Sequence, residues 1–227
     1  MQSSRWDAQG NIYLVVTEPL TPELVRAEVG DTDGMLEVFR SGDDWVEIAI
    51  WNPDGSRAEM SGNGTRIAAM WLAEQTGAES VTVRVGPREI VARMLGDGMA
   101  EQDMGEIELG QPETVDGITF TAVVVGNPHA VVEGDPATIT KIGPFLETHE
   151  RFPRRTNVQV GRRVRPGEIE ARVWERGAGE TAASGSSAVA VAAAFGMQAE
   201  TIRFPGGPLD VRFDGLRAFL TGPAVRI

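Results

Sequence analysis

Short apolar runs alternate with turn residues along the whole chain, a pattern typical of a protein rich in β-strands. Glycine (27 residues) and proline (13 residues) are spread over the full length and bound these runs, without a low-complexity linker. The pattern predicts strands at residues 12–17, 35–39, 45–51, 80–85, 90–95, 118–125, 130–133, 157–160, 169–174, 211–213 and 217–220.

Helical patterns are fewer, and they predict four helices. A short helix begins at Thr21-Pro22, and a second, with uneven spacing, begins at Asp135-Pro136, because each pair places a capping residue before proline. The other two span residues 62–76 and 185–195, and a glycine ends each of them. Residues 188–194 are apolar on nearly every side, so we expect the fourth helix to be buried.

The two longer helices occupy comparable places in the two halves of the chain. Each starts directly after a serine-glycine pair, Ser61-Gly62 and Ser184-Gly185, and a Gly-Asn pair accompanies an early strand of each half, at Gly10-Asn11 and Gly126-Asn127. We interpret this as a pseudo-repeat of two β-rich half-domains, each wrapped around one apolar helix. The alternative is that two serine-capped helices coincide by chance.

The length of 227 residues agrees with two small domains of about 100–115 residues each. We place the domains at residues 1–113 and 114–227. The chain contains no cysteine, which excludes a disulfide scaffold, a cysteine-ligated metal and thiol chemistry by the chain as written.

The charge balance excludes several classes of partner. With 21 Lys and Arg against 33 Asp and Glu, the formal net charge is -12, which repels nucleic acids and anionic membrane surfaces. The N-terminus lacks an apolar signal core, and no stretch approaches the ~20 apolar residues of a membrane span. We therefore expect a cytoplasmic protein without a nucleic-acid or membrane partner.

A first candidate site surrounds the start of the helix at residues 62–76. The Asn52-Pro53-Asp54-Gly55 segment forms a tight turn, and Ser61-Gly62-Asn63-Gly64 puts small residues where the first backbone N–H groups of the helix lack partners. Such a helix end favours a carboxylate or phosphate. An ordinary N-cap is the alternative interpretation.

A second candidate site precedes the helix at residues 185–195. Glu175 and Arg176 are followed by glycines, a second Glu-Thr pair and several hydroxyl residues. Two buried helix N-termini that converged on one cleft would hold both carboxylates of a zwitterion or diacid. Glu175 could then face an ammonium group, and Arg176 could clamp a carboxylate. The alternative is a surface ion pair beside a capped helix.

Histidine occurs twice, as His129 and His149. His149 lies at a helix end among glutamates and fits a structural role, whereas His129 ends a Gly-Asn-Pro turn between two apolar runs and either lines the site or makes structural hydrogen bonds. No His/Asp/Glu cluster has the spacing of metal ligands, and we interpret the acidic region 108–116 as a solvated loop.

These motifs together resemble the diaminopimelate epimerase family, and the resemblance spans nearly the whole chain. It rests on Gly10-Asn11, Asp33-Gly34-Met35-Leu36, Asn52-Pro53-Asp54-Gly55-Ser56, Ser61-Gly62-Asn63-Gly64-x-Arg66, Gly126-Asn127-Pro128-His129, Arg155-Thr156-Asn157-Val158, Glu175-Arg176-Gly177-x-Gly179-Glu180-Thr181, Phe204-Pro205-Gly206-Gly207 and Thr221-Gly222-Pro223-Ala224.

The resemblance implies an α+β fold of two pseudo-symmetric β/α half-domains, each a barrel-like sheet around a central helix, with the active site between them. It implies inversion of an α-carbon of a diamino diacid by two cysteines on opposite faces, without pyridoxal phosphate or metal. Ser61 and Ser184 stand at those two positions, flanked by His129 and Glu175. The implied substrate-binding residues are Asn11, Asn52, Gly62, Asn63, Asn127, Asn157, Glu175, Arg176, Gly185 and Ser186.

The main departure from the family lies in the chemistry itself. A serine hydroxyl is a far weaker acid than a thiol, whose pKa is ~8.5, so almost none is ionised at neutral pH unless a neighbour takes the proton. Ile12 and Ser187 also depart from the family pattern. Three explanations stay open: substitutions made to trap a substrate, a natural serine-bearing branch with weak or altered activity, and a homologue that only binds its ligand.

The predicted function is therefore a cofactor-independent epimerase acting on LL- and meso-diaminopimelate in lysine and cell-wall precursor synthesis. Ser61 and Ser184 are the acid–base pair of this prediction. The alternatives are a related racemase of the same fold with another amino or hydroxy acid, and a catalytically silent binding protein. The only partner implied is the small amino diacid, and the prediction includes a homodimer.

Overall fold

The computed structural model describes residues 3–227 of the chain. By its internal contacts the chain divides into two compact units, one formed by Met1–Asp103 with Thr221–Ile227 and the other by Met104–Leu220. The boundary expected from the sequence, after residue 113, stays a prediction. Between residues 3 and 227, no helix has both the length and the apolar character needed to cross a membrane.

The first unit is a mixed sheet packed on one central helix, with a second, short helix beside it. Its elements are β1 (Ser3–Ala8), β2 (Asn11–Val16), α1 (Pro22–Glu28), β3 (Gly34–Ser41), β4 (Trp45–Trp51), β5 (Arg57–Ala58), α2 (Gly62–Thr76), β6 (Ser80–Val85), β7 (Arg88–Gly96) and β8 (Met99–Glu106). Strands pair in the order β1-β2-β3-β4-β6-β7-β8, with β2–β3 and β4–β6 parallel and the other pairs antiparallel.

Helix α2 is the centre of this unit, since it contacts β1, β2, β3, β4, β6 and β7. Its middle turns, including Ile67, Ala68 and Ala69, are completely buried against the sheet. The helix begins after Ser61 and ends at Gly77, which adopts the left-handed conformation that glycine tolerates best. Burial of this apolar helix against the sheet therefore fixes where its N-terminus lies within the unit.

The second unit repeats the plan. Its elements are β9 (Glu108–Val115), β10 (Ile118–Val124), β11 (Pro128–Glu133), a 3-10 turn (Pro136–Thr138), α3 (Ile139–Glu147), β12 (Asn157–Arg165), β13 (Glu168–Glu175), β14 (Gly179–Thr181), α4 (Gly185–Ala194), β15 (Glu200–Phe204), β16 (Gly207–Asp214) and β17 (Arg217–Pro223). Strand β17 begins in this unit, and its last three residues belong to the first unit. The last strand of the chain, β18 (Val225–Arg226), also belongs to the first unit and pairs with β1.

The pairing pattern of the second unit matches that of the first. Strands β10 and β11 are antiparallel, β11 and β12 parallel, β12 and β13 antiparallel, and β13 and β15 parallel. Helix α4 contacts β10, β11, β12, β13, β15 and β16, and its residues 188–192 are fully buried. The predicted fold class, two similar β/α halves with a central helix each, is confirmed.

Several strands of the structure were not predicted from the sequence. The acidic region that we interpreted as a solvated loop is mostly strand β9, and that interpretation was wrong. Its side chains are exposed or half-exposed on both faces, so the strand lacks the polar–apolar alternation that marks one buried face. Backbone pairing with β10 determines its structure instead. Strands β1, β8 and β15 also form where no strand was predicted.

Candidate functional site

Ser61 is the N-cap of α2, and its hydroxyl oxygen receives two hydrogen bonds. The backbone N–H of Gly64 donates to Oγ at 3.0 Å, and the hydroxyl of Tyr13 donates to the same atom at 3.3 Å. Ser61 itself is in the extended conformation typical of an N-cap. Two donors aimed at one oxygen stabilise negative charge on it.

Asn63 and Asn11 meet beside this helix end. Asn63 donates from Nδ2 to Oδ1 of Asn11 at 3.2 Å, and its own Oδ1 accepts from Nη2 of Arg66 at 2.9 Å. The side chain of Asn63 is thus held from both sides. Both asparagines, with Ser61 and Gly62, are gathered at the N-terminus of α2.

Arg66 was quoted in the sequence motif but was given no role there. Its side chain is completely buried, and it donates to the carbonyl oxygen of Pro223 at 2.9 Å and to Oε1 of Gln102 at 3.4 Å, besides Asn63. Burial lowers the pKa of Arg66 to about 10, which still leaves the guanidinium charged at neutral pH. A signal was present in the sequence, because Arg66 is the only cationic residue in α2.

Asn52 forms its hydrogen bonds within the turn at residues 52–56 and not with the residues at the start of α2. Its side chain donates to Oγ of Ser56 at 2.9 Å, and its backbone N–H donates to the carbonyl of Ser56. These bonds close the tight turn that was predicted for residues 52–56. No hydrogen bond of Asn52 joins it to Ser61 or Asn63 within residues 3–227.

Ser184, at the start of α4, differs from Ser61 in its contacts. It has the same extended backbone and is 5% exposed, but its hydroxyl caps no backbone N–H of the helix. Gly185 behind it is buried, and Ser186 is half-buried. The Ser184 hydroxyl therefore lies at the start of a helix whose first N–H groups lack intrahelical partners, without capping any of them.

His129 occupies a closed polar network in the second unit. The ring is 1% exposed; Nε2–H donates to Oδ1 of Asn127 at 2.8 Å, and Nδ1 accepts from Nε2 of Gln159 at 3.0 Å. The second N–H of that amide donates to Oγ of the buried Ser187 at 2.9 Å. This chain of bonds fixes the neutral ring and orients Asn127.

From the sequence, Ser187 was identified only as a departure from the family pattern, and Gln159 was not identified as a site residue. The structure explains the hydroxyl at position 187, which ties α4 to the histidine network. Gln159 could have been found, because it is the single polar residue between Val158 and Val160 in an apolar run. Its Oε1 is buried without a hydrogen-bond partner among the described residues.

We predict that His129 stays uncharged from pH 8 down to pH 5. Burial is the main cause that lowers its pKa to about 3, since a charged ring would lose its hydration. The unfolded chain, with a histidine pKa of about 6.5, takes up a proton that the folded chain refuses, so stability falls as pH drops from about 6.5 towards 3. NMR of the two histidine rings, assigned with His149→Gln, measures this. A His129 midpoint near pH 6.5 would contradict it.

Asn157 fastens the loop that carries Arg176. Because β11 and β12 pair in parallel with His129 opposite Asn157, the amide lies beside the Asn-Pro-His turn and donates to the carbonyl of Pro128 at 3.0 Å. Its Oδ1 accepts from the backbone N–H of Arg176 at 3.0 Å. The Arg176 residue is exposed, and its Nη1 donates to the carbonyl of Arg154 at 3.3 Å.

Glu175 is half-buried, and its Oε1 accepts from the hydroxyl of Thr181 at 2.6 Å. This bond spans the hairpin between β13 and β14, in which Glu175 pairs with Gly179. The second unit thus brings Glu175, Arg176 and Asn157 to one loop. Among the hydrogen bonds of the described residues, none joins this loop directly to Ser184.

Glu147, at the end of α3, anchors the same loop and was not predicted from the sequence. Its carboxylate accepts from Nε1 of Trp174 at 2.7 Å and from the backbone N–H of Gly177 at 2.8 Å, and Arg155 lies at 3.4 Å. Burial, the largest single influence, raises the pKa of Glu147, but these hydrogen bonds and the charge of Arg155 outweigh it and lower the pKa. The residue is therefore an ionised, structural carboxylate.

Residues 3–227 contain no group of three or more His, Cys, Asp or Glu side chains that could hold a metal ion. The polar groups of both helix starts are hydroxyls, amides and backbone N–H groups. Such groups suit recognition of carboxylates and proton exchange.

Comparison with known proteins gives sequence matches along the whole chain. The family model described as diaminopimelate epimerase matches residues 121–227. A diaminopimelate epimerase of Synechococcus elongatus is 35% identical, over 100% of this chain and 96% of that protein.

Solved structures give the same fold at low sequence identity. A predicted epimerase from Pseudomonas aeruginosa has a TM-score of 0.78 and 16% identity, and covers 99% of this chain and 96% of its own. A hydroxyproline epimerase from Agrobacterium vitis, with bound trans-4-hydroxy-L-proline, has a TM-score of 0.73 and 14% identity, and covers 99% and 90%. Such low identities show a shared fold only. The 35% identity to the Synechococcus elongatus protein over the full length of this chain shows that the chain belongs to the diaminopimelate epimerase family.

Proposed function

We propose that this protein binds diaminopimelate and inverts one α-carbon without a cofactor: one of Ser61 and Ser184 removes the α-proton, and the other delivers a proton to the opposite face. The observation that carries the proposal is the repeated helix start. Each unit places a serine in the same extended N-cap conformation before its buried central helix. These are the positions at which the family resemblance puts the two reactive cysteines.

Substrate binding follows from charge and from hydrogen bonding. The free N–H groups and the dipole of a helix start favour a carboxylate, and glycines at 62 and 185 let it approach the backbone. In this proposal the amides of Asn11, Asn63, Asn127 and Asn157 and the loop of Glu175 and Arg176 surround the diacid. Asn52 and Ser186 complete the set of proposed binding residues.

The reaction needs one group to remove the α-proton and another to deliver a proton to the opposite face. One serine acts as base and the other as acid, and they exchange roles when the reaction runs backwards. Because a serine hydroxyl is a weak acid, the base needs help. Ser61 receives two hydrogen bonds that favour its ionised form. In the second unit Glu175 assists proton transfer, whereas the neutral His129 ring, with both nitrogens hydrogen-bonded, orients Asn127.

We expect slow exchange of the α-proton when the protein is incubated with LL-diaminopimelate in heavy water. NMR follows the loss of the α-proton signal and the appearance of the meso isomer. A Ser61→Ala/Ser184→Ala variant is the matched control, because it removes both hydroxyls and leaves the proposed binding residues unchanged. Exchange no faster than in this control rules out the proposed epimerisation, while calorimetry still tests binding.

A panel of substrates separates the related reactions. Only a diamino diacid uses recognition at both ends, so exchange of a simple amino or hydroxy acid alone would identify a different racemase. Tight binding without exchange would identify a silent binding protein. The same proposal includes a part in lysine and cell-wall precursor synthesis, a cytoplasmic location and a homodimeric state. Gel filtration with light scattering tests the homodimer.

A further inference from the structure

Arg66 is the largest of the completely buried side chains in the described part of the chain. Its three hydrogen bonds end on neutral oxygens, those of Pro223, Gln102 and Asn63. No carboxylate between residues 3 and 227 forms an ion pair with it. Buried charges are normally paired, because an isolated ion loses its hydration without compensation.

The position of Arg66 on α2 explains what its charge acts on. Side chains of a helix lean towards its N-terminus, and Nη2 of Arg66 reaches back to Asn63, in the first turn. The guanidinium therefore adds a full positive charge near a helix end that already carries about half a charge from the macrodipole. Neutral hydrogen-bond acceptors satisfy its N–H groups but leave this charge uncompensated.

We propose that Arg66 is a positioning residue of the first unit: it holds the amide of Asn63 towards Asn11 and keeps the α2 N-terminus positive, so that an anion at Ser61 is stabilised. The anion is a substrate carboxylate or the ionised group of residue 61 itself. The identity of the substrate rests on the proposed function, but the electrostatic role does not. Arg66 contacts no reacting atom and acts through Asn63 and through its field.

Helix α4 carries no equivalent of this charge. Arg66 follows Ser61 by five residues, and the residue five places after Ser184 is the buried Val189. The polar network there, from Ser187 through Gln159 to His129, is neutral. The arrangement predicts that a proton is lost more easily at position 61 than at position 184.

A single introduced thiol measures this effect without any substrate. The chain has no cysteine, so Ser61→Cys provides one reporter, and its rate of alkylation by iodoacetamide as a function of pH gives its pKa. We expect this pKa to lie below the ordinary ~8.5 and to rise by about one unit in Arg66→Gln and Arg66→Met. Arg66→Lys, which keeps the charge, is expected to stay near the parent value.

Matched variants distinguish an effect of the Arg66 charge from a purely structural role of the Arg66 side chain. Arg93→Gln removes an exposed arginine of the same unit and is expected to leave the thiol pKa unchanged. Circular dichroism checks that each variant is folded. If Arg66→Met unfolds, the thiol pKa of Arg66→Gln, which retains a donor for Asn63, tests the proposal. The proposal is overturned if the parent thiol titrates at or above ~8.5, or if the neutral variants titrate like the parent. Because no substrate is present, this failure is distinct from failure of the proposed epimerisation.

Discussion

The Ser61→Cys/Ser184→Cys double variant is expected to exchange the α-proton of diaminopimelate at least ~100-fold faster than the parent, because positioned acid–base groups contribute about 10²–10⁴-fold. A thiol at a helix N-terminus ionises far more readily than a hydroxyl in the same place. Each tenfold gain corresponds to a barrier lower by about 1.4 kcal/mol. The surrounding amides, Arg176 and Glu175 are unchanged by the two substitutions.

The two single variants are the controls for this prediction. Since inversion needs a competent group on each face, Ser61→Cys or Ser184→Cys alone is expected to gain much less than the double variant. A thiol reagent confirms that both groups are reduced, and it reports these two positions alone because the chain has no other cysteine. A double variant that is folded and reduced, binds diaminopimelate and remains inactive would favour a silent binding protein.

Glu147→Ala is expected to lower the free energy of unfolding by about 2 kcal/mol, since it leaves a half-buried indole N–H, a backbone N–H and a cation without their acceptor. Trp174 and Gly177 lose their hydrogen bonds, and Arg155 loses its counterion. The released loop carries Glu175 and Arg176, so affinity for the diacid is expected to fall as well. Urea unfolding and calorimetric titration measure the two effects.

A matched control distinguishes this buried carboxylate from a surface one. Glu113 forms a two-bond pair with Arg151 at 2.8 Å, but both side chains are more than a third exposed. Glu113→Ala is therefore expected to cost less than about 1 kcal/mol. Equal effects of the two alanine variants would contradict the anchoring role of Glu147.

The pH dependence of stability at Glu147, measured with a Glu147→Gln variant, has a defined sign. The folded pKa of Glu147 is lowered, so the stability that its ionised form adds is fully present above the unfolded value of about 4.3. As the pH falls below that value towards the folded pKa, the difference between the parent and Glu147→Gln shrinks. A difference that grows on acidification would mean that the carboxylate is not ionised in the folded chain.

Most of the fold could be predicted where burial leaves a periodic pattern. Helix α2 was predicted at residues 62–76, where the structure has it, since a serine cap, an apolar middle and a final glycine are local signals. Strand β9 could not be predicted, because its exposed side chains carry no pattern and only pairing with β10 orders it.

The candidate site divides in the same way. The asparagines, the serine caps and the Glu-Arg loop could be named from motifs, since turns and helix starts are encoded by neighbouring residues. Glu147, Gln159 and Arg66 could not be assigned roles, because they have partners up to 30, 30 and 157 positions away in the chain. No local pattern specifies bonds over such separations.

The sequence by itself determined the repeated β/α plan, the two serine-capped helix starts and the absence of any thiol. Only the tertiary structure decided that the two serines are unlike. Ser61 receives bonds from Tyr13 and Gly64 beside a buried guanidinium, whereas the Ser184 hydroxyl caps no backbone N–H and lies in a unit whose histidine is held neutral. The physical reason is that proton affinity depends on burial and on neighbouring charges, which the packing of distant strands creates.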